Sequence, residues 1–286
     1  MSSPDASMSE SGAAAWSDAC RLQDLACLYT GYADYAQHLD LGEKWPVRWS
    51  TTWKFGRTPT SNPVRDLADV DILRSVPVRR FTWRTGQHHR PGLEYLVTTD
   101  RHHGFESYEE ECLLLVSDFA AGLAEALSQP FRLRFYAGGR EVNHTPDFLL
   151  MTESGPFLVD VRPADRIRSE DALKFAATSE IALATGWRYG VVTGWHRHVL
   201  ETVDALSAER RSLTDPLGIH RQLHAALEYG PLPYGDLVDR CVLPAVARAH
   251  VLHLLWHRHL GVDLSVPFGD ECLIRLAPSG HSSEEW

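Results

Sequence analysis

The sequence predicts an α/β fold, a mixed sheet flanked by helices, followed by a smaller C-terminal helical domain. Three observations predict it. A periodic helix (Phe105–Ser128) precedes a series of short strands between Phe131 and Arg162. A second helix, Asp171–Thr185, separates those strands from a further strand, Trp187–Thr193, and a helix, His196–Arg211. After Thr214 a Pro-punctuated run of helices ends in a hairpin. Helix, antiparallel strands, helix, strand, helix is an order that buries a mixed sheet between helical layers.

The elements follow in chain order. Residues 1–19 are small and polar, lack the basic start and apolar stretch of a signal peptide, and read as a disordered tail. Trp16–Leu41 reads as a mildly amphipathic helix, and Gly42–Asn62 as loop with short extended pieces. Val76–Thr99 reads as strands interrupted by Gly86 and the Pro91–Gly92 turn. In Phe105–Ser128, Tyr108, Cys112, Leu115, Phe119 and Leu123 recur at spacings of three and four, and Gln129–Pro130 stops the helix. Strands Phe131–Tyr136 and Arg140–Asn143 turn at Gly138–Gly139, and Asp147–Met151 and Phe157–Arg162 turn at Ser154–Gly155. Gly186 closes the Asp171–Thr185 helix.

The C-terminal region reads as helix Leu217–Tyr229, a break at Pro231–Pro233, short helix Tyr234–Cys241, longer helix Pro244–Leu260, and a hairpin of Val262–Val266 and Glu271–Leu276. This is the winged-helix order, in which the longer helix is the one laid in a DNA groove. A helical accessory domain that binds protein has the same pattern. The implied division is a tail at 1–19, an extension at 20–75, a principal domain at 76–212, a winged-helix-like domain at 213–277 and a tail at 278–286.

The chain has 286 residues, is 44% hydrophobic, and holds no apolar run of about 18 residues, so no membrane span is expected. Its five cysteines are scattered with no CxxC pair, which supports neither a zinc ribbon nor a disulfide framework and points to reduced thiols in a cytoplasm. A net charge of −10 argues against a protein that only coats DNA. The charge is uneven. Val47–His103 carries ten Arg or Lys against five Asp or Glu, with four histidines and with Trp49, Trp53, Phe55, Phe81 and Trp83 interleaved. This segment is expected to grip a DNA backbone, through Arg79, Arg80, Arg84, His88 and Arg101. A solvated Arg-rich face has the same composition.

Chemistry concentrates in His144–Thr145–Pro146–Asp147–Phe148 and Val159–Asp160–Val161–Arg162–Pro163. The Gly155 turn sets the two acids side by side on adjacent strands. Asp160 lies in an apolar strand, where an unpaired carboxylate is costly. Mg²⁺ held by Asp147 and Asp160 offsets that cost, polarises a phosphate and activates water. A lysine two residues after the second acid usually assists the water, but here Arg162 stands there; it can clamp phosphate and cannot act as a base, and a salt bridge to Asp160 is its structural alternative. Lys174, one turn into the next helix, is the expected substitute. Only three of the 28 basic residues are lysine, so a lysine at this place carries weight against the alternative of a surface helix residue. A third acid is expected from the preceding helix, with Glu106, Glu109, Glu110, Glu111 and, further along, Asp118 as candidates.

The ordered series Arg80–Phe81, Gly86–Gln87, Pro91–Gly92, Phe105–Glu106–Ser107–Tyr108–Glu109–Glu110, Gln129–Pro130–Phe131, His144–Phe148, Asp160–Pro163, Lys174–Thr178 and Gly186–Trp187 resembles the TnsA-like endonuclease subunits of heteromeric transposases, in their actinobacterial form. The match runs from Arg79 to about Thr193. The resemblance implies a restriction-endonuclease-like fold of the PD-(D/E)xK superfamily for residues 76–212. It implies hydrolysis of one strand at each transposon end with Mg²⁺, or Mn²⁺ in its place, beside an integrase-type transposase and an ATPase regulator. The family pattern Glu-Ser-x-x-Glu selects Glu110, so the implied metal ligands are Glu110, Asp147 and Asp160, with Arg162 and Lys174 completing the catalytic set. Glu111–Cys112 departs from the Arg-Asp of relatives, while Asp-x-Arg occurs in this branch.

His250, His253 and His257 share one face of the last long helix, but no HExxH or neighbouring cysteine completes a metal site, so a polar face near phosphates is expected. His88–His89 and His102–His103 read as surface or phosphate contacts. No phosphate-cradling glycine loop appears, so the chain is not expected to be an ATPase. The rival expectations are an inactive nuclease-fold DNA-binding scaffold, motivated by the missing motif lysine, and a standalone defence nuclease.

Overall fold

The computed structural model describes residues 15–79 and 91–278. The N-terminal part contains α1 (Leu22–Leu25), β1 (Ala26–Leu28), α2 (Trp45–Arg48) and the hairpin of β2 (Ser50–Phe55) and β3 (Thr58–Pro63). Next come β4 (Gly92–Leu96), β5 (Arg101–Phe105), α3 (Tyr108–Phe119), β6 (Leu123–Ser128), β7 (Phe131–Ala137) and β8 (Arg140–His144). Then follow β9 (Phe148–Thr152), β10 (Gly155–Val161), α4 (Ser169–Thr185), β11 (Arg188–Trp195) and α5 (Val199–Ser207). The C-terminal region comprises α6 (Ile219–Leu227), β12 (Leu232–Pro233), α7 (Tyr234–Asp239), α8 (Pro244–Trp256), β13 (Leu260–Val262) and β14 (Leu273–Leu276).

The architecture is mixed α/β. The principal sheet runs β1-β11-β10-β9-β6. β6, β9 and β10 pair antiparallel, while β10 and β11 pair parallel, because α4 carries the chain back across the sheet. Alternation assigns the faces. Phe148, Leu150 and Val159 pack with Leu113 and Leu114 of α3 on one side. Leu149 and Leu158 pack with Ala176, Ala177 and Ile181 of α4 on the other. Asp160 belongs to the row of Leu158, so it lies on the α4 side of the sheet.

The second sheet, β3-β2-β7-β8, lays its apolar face over α4. Trp49, Trp53, Phe131, Leu133 and Phe135 are fully buried there. This corrects the expectation that Trp49 and Trp53 serve a DNA surface: Trp49 follows α2, Trp53 lies in β2, and both side chains are core. Phe55 is half-buried against the same cluster, and Phe81 and Trp83 lie outside the described residues. The two-residue Gly138–Gly139 turn joins β7 to β8 with φ of 55° and 73°, a pair of left-handed positions that glycine adopts without strain.

Several element boundaries differ from the sequence reading. Trp16–Leu41 holds a one-turn helix, a strand and a 3-10 helix rather than one amphipathic helix. The strand β1 pairs with β11 instead, which satisfies its backbone groups in the sheet. The Phe105–Ser128 helix ends at Phe119, and Leu123–Ser128 is strand β6; the turn around Gly122 (φ 82°) separates them. Residues 15–19 are built into the fold rather than belonging to a tail: Trp16 bridges Asp263 and buried Asp18 pairs with Arg275 at 2.9 Å. The remaining tail expectations, 1–14 and 279–286, fall outside the described residues.

At the C-terminus, β12-β14-β13 forms a small sheet with α6, α7 and α8. These helices share a core with Val116 and Phe119 of α3 and with Val199, Val203 and Leu206 of α5. Most of α8 is turned inward: Ala247, His250, Val251, Leu254, Leu255 and Trp256 are buried. Its histidines make internal hydrogen bonds, His253 Nδ1 to Glu209 O at 2.9 Å and His257 Nε2 to Arg210 O at 3.1 Å. The expectation that they face phosphates is therefore corrected. No described helix is long and apolar enough to cross a membrane.

Candidate active site

Extending the β9–β10 register by one step from Phe148–Val159 sets Asp147 directly opposite Asp160. Asp147 Oδ2 accepts the Val161 N–H at 2.8 Å, and its carbonyl accepts the Gln129 N–H at 2.7 Å. Like charges facing each other across an antiparallel pair repel. Burial and the neighbouring Asp160 and Glu110 together hold the Asp147 carboxyl well above the usual carboxylate range, against the pull of Arg79.

Glu110 enters from the first turn of α3. Ser107 caps this helix: its Oγ accepts the Glu110 N–H at 3.2 Å and donates to Glu110 Oε1 at 3.3 Å. The Glu106 N–H donates to Oε2 at 2.8 Å. The Glu-Ser-x-x-Glu pattern is thus a capping arrangement that also fixes the carboxylate. Burial is the main cause that pushes the Glu110 pKa up to about 7; the Glu106 N–H bond opposes it, the Glu106 charge adds to it, and Ser107 and Arg79 oppose it. Both Glu110 and Asp160 are buried. The other candidate acids are elsewhere: Glu109 pairs with Arg166 at 3.5 Å, Glu111 is half-buried near Glu94, and Asp118 accepts the backbone N–H groups of Val97 and Thr98.

Asp160 is engaged by two residues that sequence reasoning missed. His144 Nε2 is 2.9 Å from Oδ1 and 3.1 Å from Oδ2, and the Tyr189 hydroxyl donates to Oδ2 at 2.7 Å. His144 had a signal, three residues before Asp147; Tyr189 had none beyond its strand.

The two expected cations do not contact Asp160. Arg162 pairs with Asp171 at 3.5 Å and Lys174 lies 3.9 Å from the same carboxylate. The cause is local: Asp171 caps α4 by accepting the Arg168 N–H, which sets its carboxylate between the strand end and the first helical turn. Arg79, by contrast, is within electrostatic reach of both Glu110 and Asp147. Its neighbour Val78 donates to the Gln129 carbonyl at 3.1 Å, which ties residues 78–79 to the strand end holding Asp147. Arg101 is ion-paired with Glu125, and His103 is buried, bonded to Thr99 and the Ala126 carbonyl; His103 is not a surface contact. Arg80, Arg84 and His88 lie outside the described residues.

Among the described residues, no three His, Cys, Asp or Glu side chains form a group placed to hold a metal ion. The donor chemistry nonetheless suits a hard divalent cation: Asp147 lies in electrostatic reach of both Asp160 and Glu110, and Arg79 opposes the charge on Asp147 and Glu110. Comparison with models of known protein families gives no match, and comparison with curated proteins gives none either.

Proposed function

We propose that this protein is a divalent-metal-dependent DNA endonuclease that cuts one strand at transposon ends as a subunit of a heteromeric transposase. The observation that carries the nuclease reading is Asp147 facing Asp160 across β9 and β10 with Glu110 in repulsive reach. Buried like charges destabilise a fold unless something binds there. The order α3, β6, β9, β10, α4, β11 supports a restriction-endonuclease-like core, with β7 and β8 as an inserted hairpin. The transposase assignment rests on the TnsA-like motif series alone, as do an integrase-type partner and an ATPase regulator.

Asp147 and Asp160 would hold Mg²⁺, or Mn²⁺, with Glu110 completing the acidic set. When bound, the ion polarises the scissile phosphate and makes a water a nucleophile near neutral pH. Arg79 would attract the DNA backbone toward these acids. The C-terminal order supports a winged-helix-like domain, and its exposed Tyr229 and Val242 (93% and 81%) favour a protein partner over a DNA groove.

A second reading, an inactive nuclease-fold DNA-binding scaffold, is favoured by the pairing of Arg162 with Asp171. Incubation of supercoiled plasmid carrying a transposon end with Mg²⁺ or Mn²⁺, with and without the transposase subunit, separates the two. Nicking by the wild type and not by Asp147→Ala is expected. Intact plasmid in every wild-type reaction favours the scaffold.

A further inference from the structure

Asp160 is held more completely than an acid left free for an ion. Tyr189 and His144 both bond to Oδ2, and His144 also bonds to Oδ1. Each carboxylate oxygen has two lone pairs. Oδ2 therefore uses both, and Oδ1 keeps one. Asp147 is similar: Oδ2 takes the Val161 N–H, and Oδ1 has no hydrogen-bond partner among the described residues. A carboxylate without its proton only accepts, and the partner it takes from His144 is then the Nε2–H tautomer. Side-chain exposures of 13% for His144 and 2% for Asp160 leave little water to compete.

The sequence builds this clamp from three elements. His144 ends β8, where it pairs with Leu133. The Thr145–Pro146 link, with proline fixing its backbone, delivers Asp147 to the start of β9. From α4, the Phe175 ring meets the His144 ring edge-on at 6.2 Å. Tyr189 projects from β11 on the Asp160 side, in the row that pairs with Leu158, and Tyr32 packs against its ring at 5.4 Å. Arg162 and Lys174, by contrast, share Asp171.

We propose that His144, with Tyr189 beside it, takes the place at Asp160 expected for the strand-motif cation, positioning this carboxylate as a one-oxygen ligand for a divalent ion. His144 is a positioning residue: it acts through Asp160. The inference rests on the metal-dependent reading above.

The test is Mn²⁺ binding to the full-length protein at one fixed pH, followed by electron paramagnetic resonance of free Mn²⁺. Loss of an outer partner of a ligand typically weakens metal affinity about 10–100-fold, and this is expected for His144→Ala. His144→Gln, which keeps an N–H donor, recovers part of the loss. Tyr189→Phe keeps the ring and weakens binding less. Melting curves without metal check that each variant folds, and Tyr189→Phe carries the test if His144→Ala does not. Wild-type affinity in folded His144→Ala and Tyr189→Phe, with binding lost in Asp147→Ala, overturns the clamp and leaves the metal site standing. A wild type that binds no better than Asp147→Ala overturns the metal site and the clamp together.

Discussion

Asp147 stands across the β9–β10 pair from Asp160, with Asp147 Oδ2 bonded to the next residue's amide, Val161 N–H, at 2.8 Å. Burial and the facing charge raise the Asp147 pKa, so the folded chain binds a proton there that the unfolded chain releases. Stability from this group is present at low pH and is lost as pH rises toward the folded pKa. Asp147→Asn removes the charge and keeps the shape. In metal-free buffer its melting temperature is expected to exceed wild type by a margin that widens as pH rises, and plasmid cleavage is expected to vanish. A margin independent of pH would show that Asp147 is not under repulsion.

Glu110 titrates in a defined window. Its pKa moves from 4.5 to about 7, so its contribution to stability is complete below 4.5 and lost as pH rises through about 7. Glu106, Asp147, Ser107 and Arg79 are the groups that act on it. Glu110→Gln is expected to gain on wild type across this window, read as the pH profile of the melting temperature. Mn²⁺ affinity of the wild type is expected to climb through the same window, since the ion must displace the proton. An affinity flat between pH 5 and 8 excludes Glu110 as a ligand.

Arg162 and Lys174 both lean on Asp171 at 3.5 and 3.9 Å. Their side chains are 43% and 29% exposed, so each pair is worth only about 0.2–1 kcal/mol. Lys174→Ala is expected to keep cleavage within about tenfold of wild type, well short of the roughly 10²-fold loss for a group that stabilises developing charge. Single-turnover rates measure this. A loss of 10²-fold or more would return Lys174 to the catalytic role that its position in the sequence suggested.

The juxtaposition of two candidate acids was legible because a local pattern fixes it: two apolar strands joined at Gly155 put Asp147 opposite Asp160. Local pattern did not choose among the acids of α3, where only the family resemblance singled out Glu110. The cations were not legible. Whether Lys174 or Arg162 reaches Asp160 depends on a third residue, Asp171, whose capping bond sets its position. His144 and Tyr189 meet Asp160 only because β8 and β11 converge on it. Trp49 and Trp53 misled for a related reason: among many arginines they look like an interface, and only the pairing of β2 with β7 puts Trp53 opposite Phe131 and brings Trp49 against Phe135 in the core. The helix expected over Leu123–Ser128 failed because strand pairing with β9 outweighed local propensity.

The outer side of α8 offers little to a DNA groove. Its exposed cation, Arg248, is paired with Asp270 at 2.9 Å, and the preceding residues Val242 and Leu243 are exposed and apolar. Arg248→Glu is expected to leave duplex affinity unchanged in a fluorescence-anisotropy titration. A severalfold loss would put α8 on DNA after all.

Arg79 and Arg101 both come from the basic segment, and the structure separates them. Arg101 is tied to Glu125, whereas Arg79 faces Glu110 and Asp147. A phosphate brought to a metal ion on these acids would lie near the Arg79 charge, and each phosphate contact contributes about 0.9 to the slope of log affinity against log salt. Arg79→Ala is therefore expected to weaken binding to duplexes of any sequence and to reduce the salt slope by about 1. The same change raises the Glu110 pKa further, because the opposing positive charge is gone. Arg101→Ala is expected to alter neither the affinity nor the slope. If the two variants bind alike across the salt series, Arg79 serves only to steady the buried carboxylates, and the DNA path lies elsewhere.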